Sequence, residues 1–352
     1  MIREGIQKLI EGNNLTFEES GEIMREVMSG KTTNAQTAAF LTALRMKGES
    51  VEELIAFASV MRKSCCQIQP RVDGRLVDTC GTGGDKVKTF NVSTAAAFVI
   101  AGAGIAVAKH GNRAVTSKSG SADVLEKLGL NLNVEPPAVQ SLIEKVGVGF
   151  MFAPAFHPAM KYAEEPRREI GIRTVFNLLG PLTNPACANA QLLGVYDLKL
   201  VVPMASALGQ LGCVEAMVVH GLDGLDEIST IGKTAIAHLK QGKVTKTEYA
   251  PRDFGVKKAK IADLQTSTPE ESAEILFKIL SGNIVDDAKA EFVRVNSAAG
   301  IIIGGKAENF KEGMLLARKS IESGAAYTKL KDLIKTSGGS LQKLEELEAK
   351  YE

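Results

Sequence analysis

The stretch that decides the fold is residues 76–97, which read LVDTCGTGGDKVKTFNVSTAAA. A short apolar strand is followed by three glycines within four positions and then by an alanine-rich helix. Glycines let the backbone approach an anion closely, and the N-terminus of a helix favours negative charge. We expect Ser93 and Thr94 to cap this helix. The stretch therefore predicts a strand, a phosphate-binding loop and a helix in succession.

The glycine loop matches neither of the two common phosphate loops. A Walker loop ends in glycine, lysine and then serine or threonine, whereas Lys86 is followed by Val87. The dinucleotide fingerprint also fails, because Lys86 stands where its third glycine belongs. Taken alone, the loop could be a turn without a ligand.

A second polar stretch favours a ligand. Residues 109–121 read KHGNRAVTSKSGS and lie between an apolar strand at 105–108 and a helix at 122–128. The carboxyl ends of neighbouring parallel strands meet at one edge of a sheet, where open α/β folds bind ligands. Two lysines and an arginine beside two such loops indicate a substrate with more than one phosphate.

Composition excludes several classes of protein. The 352 residues carry a net charge of +1, 5% aromatic residues and no tryptophan, which disfavours a nucleic-acid surface. The five cysteines lack CxxC spacing, and we interpret them as reduced thiols of a cytoplasmic protein. No apolar run reaches the length of a membrane span, and the N-terminus lacks the apolar core of a signal peptide.

The hydrophobic period changes along the chain. Residues 2–66 have helical spacing, with capping boxes at Thr16-Glu19 and Ser50-Glu53, and predict a small helical bundle. From Arg75 onward, strands near 76–78, 105–108, 149–153, 191–195 and 216–220 alternate with helices. Residues 235–249 predict two antiparallel strands, and helices are expected at 269–281, 287–303, 310–323 and 326–335. The predicted fold class is α/β, with a small all-helical domain and a larger domain that has a mostly parallel central sheet.

One passage does not fit that alternation. Residues 158–179 predict one long helix with the basic side chains Lys161, Arg167, Arg168 and Arg173, before a turn at 180–185. We expect it to leave the sheet and pack on the bundle. The predicted helical domain is therefore 1–68 with 158–185 packing onto it, and the α/β domain is 69–157 and 186–352.

Two adjacent carboxylates follow another strand end. Asp226 and Glu227 would repel each other near phosphates unless a cation lies between them, and magnesium bridges carboxylates to phosphates. A solvated acidic loop is the alternative. We expect a cleft between the basic helix at 158–179 and the phosphate-binding edge of the sheet. His110 and His157 are placed on loops that face this cleft. Because no acid and base pair emerges, the chemistry is expected to depend on positioning and charge neutralisation.

Five motifs carry a resemblance to a known family. They are GTGGD at 81–85, NVST at 91–94, KHGNR at 109–113, NLLGPLTNP at 177–185, and the Asp226-Glu227 pair. In this order, and with the helical start of the chain, they closely resemble the anthranilate phosphoribosyltransferases. The resemblance implies the nucleoside phosphorylase fold, in which the small helical domain is hinged to the larger α/β domain. It also implies Mg²⁺ as cofactor and a homodimer formed through the helical domain.

The resemblance also implies an activity and its residues. The family joins anthranilate to 5-phosphoribosyl 1-pyrophosphate and releases pyrophosphate, a step of tryptophan biosynthesis. The residues that would hold the phosphoribosyl donor are Gly81, Thr82, Gly83, Gly84, Asp85, Thr89, Asn91, Val92, Ser93, Thr94, Lys109 and Ser121. The residues that would line the anthranilate side are Gly81, His110, Asn112, His157 and Arg167, the last as the carboxylate anchor, and the magnesium set would be Ser93, Asp226 and Glu227. Spacing alone does not separate Arg167 from Arg168.

Two alternatives remain open at this point. Pyrimidine nucleoside phosphorylases have a related glycine loop, but with a Lys-x-Ser-x-Gly-Gly pattern where residues 78–84 read DTCGTGG. A non-enzymatic relative that binds nucleic acid is disfavoured by the near-neutral charge and by the intact Asp226-Glu227 pair.

Overall fold

The N-terminal segment is helical in the computed structural model, which describes residues 1–84, 87–114 and 119–351. Its helices are α1 (Ile2–Ile10), α2 (Phe17–Met28), α3 (Asn34–Lys47) and α4 (Val51–Ser64). The capping boxes predicted at Thr16 and Ser50 are both confirmed. A further capping box opens α3, where the Thr33 side chain accepts from the backbone N–H of Gln36. These boxes satisfy N–H groups that helix ends leave without partners.

A mixed sheet follows the bundle. Its strands, within the described residues, are β1 (Leu76–Gly81), β2 (Ala106–Gly111), β3 (Val148–Phe152), β4 (Ala190–Gly194), β5 (Glu215–Gly221), β6 (Thr234–Lys240) and β7 (Lys243–Tyr249). They are ordered β3-β2-β1-β4-β5-β6-β7 across the sheet. The first five strands in this order are mutually parallel, whereas β6 pairs antiparallel with both β5 and β7. The expected parallel sheet with an antiparallel addition is confirmed.

Helices cover both faces of the sheet. Those after β1 are α5 (Val92–Gly102), α6 (Ser121–Lys127), α7 (Pro136–Val146), α8 (Ala153–Phe156), α9 (Lys161–Ile170), α10 (Phe176–Leu182), α11 (Val201–Gln210), α12 (Ile261–Leu264), α13 (Pro269–Leu280), α14 (Ala288–Ile303), α15 (Phe310–Glu322), α16 (Ala325–Thr336) and α17 (Gln342–Tyr351). Successive strand side chains point to opposite faces, so Leu192 packs with α5 and α14 while Leu193 packs with α11 and the bundle.

Two local predictions were wrong, and one helix was not predicted. Residues 158–179 do not form one helix: a 3₁₀ turn at Pro158–Met160 precedes α9, which ends at Gly171 in the left-handed conformation (φ 62°), and α10 follows. The turn expected from residue 180 begins later, because Gly180 and Pro181 still belong to α10. The helix α17 was not expected, although Leu344, Leu347 and Tyr351 have helical spacing.

The segment of α9 and α10 packs on the N-terminal helices. Helix α9 contacts α2 and α3, and α10 contacts α4. The Arg62 guanidinium donates to the carbonyls of Leu182 and Leu211 at 2.7 and 2.8 Å, which fixes the ends of α10 and α11 beside α4. The domain boundaries at 68, 158 and 185 stay a prediction.

Candidate functional site

The strand ends meet at the point where the strand order reverses. Strand β1 lies between β2 and β4, and the chain leaves each of these strands at a glycine. Such a switch point, at the carboxyl ends of parallel strands, is where open α/β sheets bind ligands. The glycine loop of 81–84 starts there, as predicted.

The loop after β5 folds back over this switch point. A Cβ atom on Gly81 would lie 2.5 Å from Asp226 Oδ2, and one on Gly194 would collide with the Asp226 carbonyl. Position 194 therefore requires glycine, because a side chain there would push the Asp226 backbone away, whereas a side chain at Gly81 would displace the Asp226 carboxylate. The Gly83 N–H donates to Asp226 Oδ2 at 2.9 Å, and the Thr82 N–H donates to the Gly194 carbonyl at 2.9 Å. Gly81, Thr82, Gly83 and Asp226 are thus brought together.

The carboxylates offer hard oxygen donors beside the glycine loop. Glu227 is buried next to Asp226 in the sequence, and Ser93 lies in the first turn of α5 behind β1. Carboxylate and hydroxyl oxygens suit Mg²⁺, which often takes one or two carboxylates and keeps several waters. Among the described residues no group of three or more His, Cys, Asp or Glu side chains converges on a metal site. Asp85, which was predicted to bind the phosphoribosyl donor, lies outside the described residues.

The start of α5 is held by long-range contacts. The helix begins at Val92 with Asn91 as its N-cap residue, so Ser93 and Thr94 lie in its first turn and the expectation that they cap it was wrong. The Asn91 Oδ1 atom accepts from the hydroxyls of Ser119 and Ser272 at 3.0 and 2.8 Å. The Thr79 hydroxyl donates to the Ser93 carbonyl at 2.8 Å.

Two further donor-side residues have distinct surroundings. The Thr94 hydroxyl is buried without a hydrogen-bond partner among the described residues. Thr89 pairs with Gln265 through an isolated backbone bridge, which fixes the end of the loop against the chain before α13.

Lys109 is buried beneath the loop. Its ammonium donates to the Thr79 carbonyl at 2.7 Å, and only 3% of the residue is exposed. Burial lowers the pKa of Lys109, while the nearby Asp78 carboxyl acts in the opposite direction. Burial likewise raises the pKa of Asp78 against the effect of Lys109. The positive charge is therefore placed under the end of β1 rather than on the surface of the loop.

His110 and His157 form a pair. Their ring centroids are 5.0 Å apart, and the Nε2 atom of each is buried without a partner among the described residues. Burial lowers the pKa of His110 to about 3, helped by His157, and burial lowers the pKa of His157 to about 4. Both rings are neutral at pH 7. His157 follows α8, but His110 belongs to β2, so its expected place on a loop was wrong.

Arg167 and Arg168 differ in exposure. Arg167 is partly buried, with its guanidinium carbon 5.1 Å from the centre of the Phe176 ring, and burial lowers its pKa. Arg168 is exposed. No carboxylate lies within ion-pair distance of Arg167 in the described residues, although Glu164 acts to raise its pKa against the effect of burial. A partly buried guanidinium of this kind suits an anionic ligand.

The remaining predicted residues lie at the end of β2. Asn112 is exposed and its side chain accepts from the Arg113 N–H at 2.7 Å, while the Ser121 hydroxyl lies 3.5 Å from the Asn112 carbonyl. No hydrogen bond or ring contact in the described residues joins this group, or the two histidines, to Arg167.

Sequence reasoning gave no role to Arg173 or Tyr196. The Arg173 guanidinium donates to the Gly84 carbonyl at 2.8 Å and lies 4.6 Å from the centre of the Tyr196 ring. The available signal was the basic run at 158–179, but the position of the glycine loop relative to it is a tertiary contact.

Comparisons with known proteins define the class first. A model described as "Glycosyl transferase family, a/b domain" matches residues 73–327, and one described as "Glycosyl transferase family, helical bundle domain" matches residues 3–65. The chain is thus a glycosyl transferase built from a helical bundle and an α/β domain.

Individual relatives define the family. The anthranilate phosphoribosyltransferase of Petrotoga mobilis is 47% identical over 334 residues, covering 95% of this chain and 96% of the relative. The crystal structure of the Thermus thermophilus enzyme of the same name has a TM-score of 0.88 at 40% identity, covering 95% of this chain and 99% of that one. The Saccharomyces cerevisiae enzyme in complex with PRPP and Mg has a TM-score of 0.87 at 30% identity, covering 96% of this chain and 98% of that one.

This chain belongs to the anthranilate phosphoribosyltransferase family. The predicted family, fold class and transferase activity are confirmed. None of the helices in the described ranges is long and apolar enough to cross a membrane.

Proposed function

We propose that this chain transfers the phosphoribosyl group of 5-phosphoribosyl 1-pyrophosphate to the amine of anthranilate, giving N-(5-phosphoribosyl)anthranilate and pyrophosphate in tryptophan biosynthesis. The observation that carries the proposal is the glycine loop at the switch point, packed against Asp226 and backed by the N-terminus of α5. Loop N–H groups and a helix N-terminus are suited to bind a phosphorylated donor.

The donor-binding residues proposed are those of the glycine loop and of the two strand ends beside it. They are Gly81, Thr82, Gly83, Gly84, Asp85, Thr89, Asn91, Val92, Ser93, Thr94, Lys109 and Ser121. Ser93, Asp226 and Glu227 would hold Mg²⁺, because all three present oxygen donors. When bound, the metal supplies positive charge for the pyrophosphate oxygens. The buried ammonium of Lys109 adds positive charge from below the loop.

The anthranilate side is proposed to include Gly81, His110, Asn112, His157 and Arg167. Arg167 would bind the carboxylate, because a planar guanidinium forms two parallel hydrogen bonds with a planar carboxylate. The two neutral histidines would offer ring nitrogens without adding charge. The amine is then free to attack the ribose carbon from which pyrophosphate departs.

Positioning and electrostatics would account for most of the rate. Holding the amine and the ribose carbon together replaces a bimolecular step with an effectively unimolecular one. The N-terminus of α5 would stabilise charge that develops on the departing pyrophosphate. Closure of the cleft between the helical segment and the sheet would exclude water and limit hydrolysis of the donor.

We also propose the domain division, the assembly and the location of the protein. The helical domain is 1–68 with 158–185 packed onto it, which accords with the contacts of α9 and α10. The enzyme is a homodimer formed through that domain. It works in the cytoplasm, where reduced thiols such as its free cysteines persist.

The test is an assay of the purified protein with anthranilate, donor and Mg²⁺, following anthranilate loss and pyrophosphate release together. We expect consumption to require all three components, with one pyrophosphate per anthranilate. Unchanged anthranilate would refute the proposal.

A matched pair of variants tests the metal role. Asp226→Asn should raise the Mg²⁺ concentration for half-activation more than about tenfold, since metal sites lose at least that much when a supporting group is changed. Glu248→Gln, an exposed carboxylate on β7, should leave it unchanged. An Asp226 variant with normal activation would contradict the assignment.

A further inference from the structure

The glycine loop has two further anchors besides its bonds to Gly194 and Asp226. At one end, Thr82 accepts through its hydroxyl from the Tyr196 N–H at 3.1 Å. At the other end, the carbonyl of Gly84 accepts from Arg173 Nη2 at 2.8 Å. Gly84 has φ +84°, and a Cβ atom there would collide with the Arg173 guanidinium. The loop is therefore shaped around this side chain.

The two anchors contact each other. The Arg173 guanidinium stacks on the Tyr196 ring, with its carbon 4.6 Å from the ring centre. Tyr196 follows β4 and lies near the end of α3. Burial raises the pKa of Tyr196, Arg45 lowers it, and Glu49 raises it further. The cation–π contact between Arg173 and Tyr196 thus lies where the glycine loop, the C-terminal end of β4 and the bundle come together.

A phosphate-binding loop needs a partner for its carbonyl groups. The Thr82 and Gly83 N–H groups already donate to Gly194 and Asp226, which sets the direction of the loop backbone. A carbonyl that faced a bound anion would repel it, and a carbonyl turned away needs a hydrogen-bond donor. Arg173 is that donor for Gly84. A lysine could donate to the carbonyl, but only the planar guanidinium also stacks flat on the ring.

We propose that Arg173 is a positioning residue, which holds the glycine loop in its donor-binding conformation through the Gly84 carbonyl and is itself held by Tyr196. It acts on the phosphoribosyl donor through the loop. That the loop binds 5-phosphoribosyl 1-pyrophosphate rests on the proposed function. The positioning of the loop by Arg173 does not depend on the identity of this substrate.

The kinetic test compares Arg173→Met and Arg173→Lys with the wild type. Loss of one charge-assisted hydrogen bond should raise KM for the donor about tenfold in Arg173→Met. KM for anthranilate should stay within about twofold, because Arg173 acts on the donor loop. Arg173→Lys should recover part of the donor affinity. Arg168→Met, the loss of an exposed arginine, is the matched control and should leave donor KM unchanged.

A second pair of variants tests the stacking contact. Tyr196→Phe keeps the ring and should behave as wild type, whereas Tyr196→Leu removes it and should raise donor KM by less than Arg173→Met does. If donor KM rose as much in Tyr196→Phe as in Tyr196→Leu, the ring contact would not be what holds Arg173.

A measurement without substrates separates this inference from the proposed function. In the ligand-free protein, hydrogen–deuterium exchange at residues 82–84 should be faster in Arg173→Met than in wild type, while exchange in β1 stays the same. Unchanged exchange in the loop, unchanged donor KM, or an equal rise in both KM values would overturn the positioning role. If the wild type does not use the donor at all, the proposed function fails and the exchange comparison alone decides.

Discussion

At the scale of single residues, burial distinguishes two neighbouring arginines that spacing could not separate. Arg167→Met should raise KM for anthranilate by about 10- to 100-fold, the value of a charge-assisted hydrogen-bonded pair, with a much smaller effect on donor KM. Arg168→Met should change neither constant, because that side chain is exposed. Steady-state kinetics with each substrate varied in turn make the comparison, and equal effects of the two variants would refute the anchor assignment.

The two buried histidines predict an acid-sensitive fold. The pKa values of His110 and His157, about 3 and about 4, lie below the ordinary 6.5. Between the lowered values and 6.5, the unfolded chain therefore binds more protons than the folded protein. The free energy of unfolding should therefore fall as pH drops below about 6.5, by up to about 1.4 kcal/mol per pH unit for each histidine. Urea unfolding from pH 7 to pH 5 measures this dependence. His157→Asn should make it shallower, and an unchanged slope would contradict the prediction.

At the scale of elements, the α3 capping box offers a clean test of local stability. Thr33 is exposed, and its hydroxyl accepts from the Gln36 N–H at 3.2 Å. Thr33→Ala should lower the free energy of unfolding by about 1 kcal/mol, because an orphan N–H loses its acceptor. Thr33→Asn keeps an acceptor and should retain most of that stability. Urea unfolding of the three proteins compares them, and identical losses in both variants would exclude capping as the cause.

The regular elements could be predicted because their information is local. Apolar strands that end at glycines, such as β1 and β2, and capping boxes such as Thr16-Glu19 are contained in a few consecutive residues. The candidate donor site followed from the same signals, since adjacent strand ends share an edge. The sequence could therefore place these strand ends at one edge of the sheet without giving the contacts of the candidate site.

What sequence missed depends on distant partners. Asn91, and not Ser93, is the N-cap residue of α5, and its side chain accepts hydrogen bonds from Ser119 and Ser272. Lys109 belongs by sequence to a polar stretch, but β2 continues through it and directs its ammonium to the Thr79 carbonyl. The role of Arg173 requires the glycine loop to lie beside it in space.

At the scale of the whole molecule, the proposed homodimer through the bundle can be tested at exposed apolar side chains of that domain. Met46 at the end of α3 is 83% exposed and Ile10 at the end of α1 is 64% exposed. Replacing both with glutamate should shift the protein from dimer to the 37.5 kDa monomer in sedimentation experiments. Leu315→Glu, on the α/β part and 61% exposed, is the control and should leave the dimer intact. A wild type that sediments as a monomer would refute the proposed assembly.

The bundle is assembled from parts of the chain that are made at different times. Its apolar core joins Phe40 and Phe57 to Leu178 of α10 and Leu208 of α11. At translation rates of roughly 5–20 residues per second, residue 182 follows residue 64 by on the order of 6–24 s. The first four helices thus leave the ribosome with an uncovered apolar surface. Nascent chains that stop before α10 are expected to need chaperones, and the bundle becomes a folded unit only after half of the protein has been made.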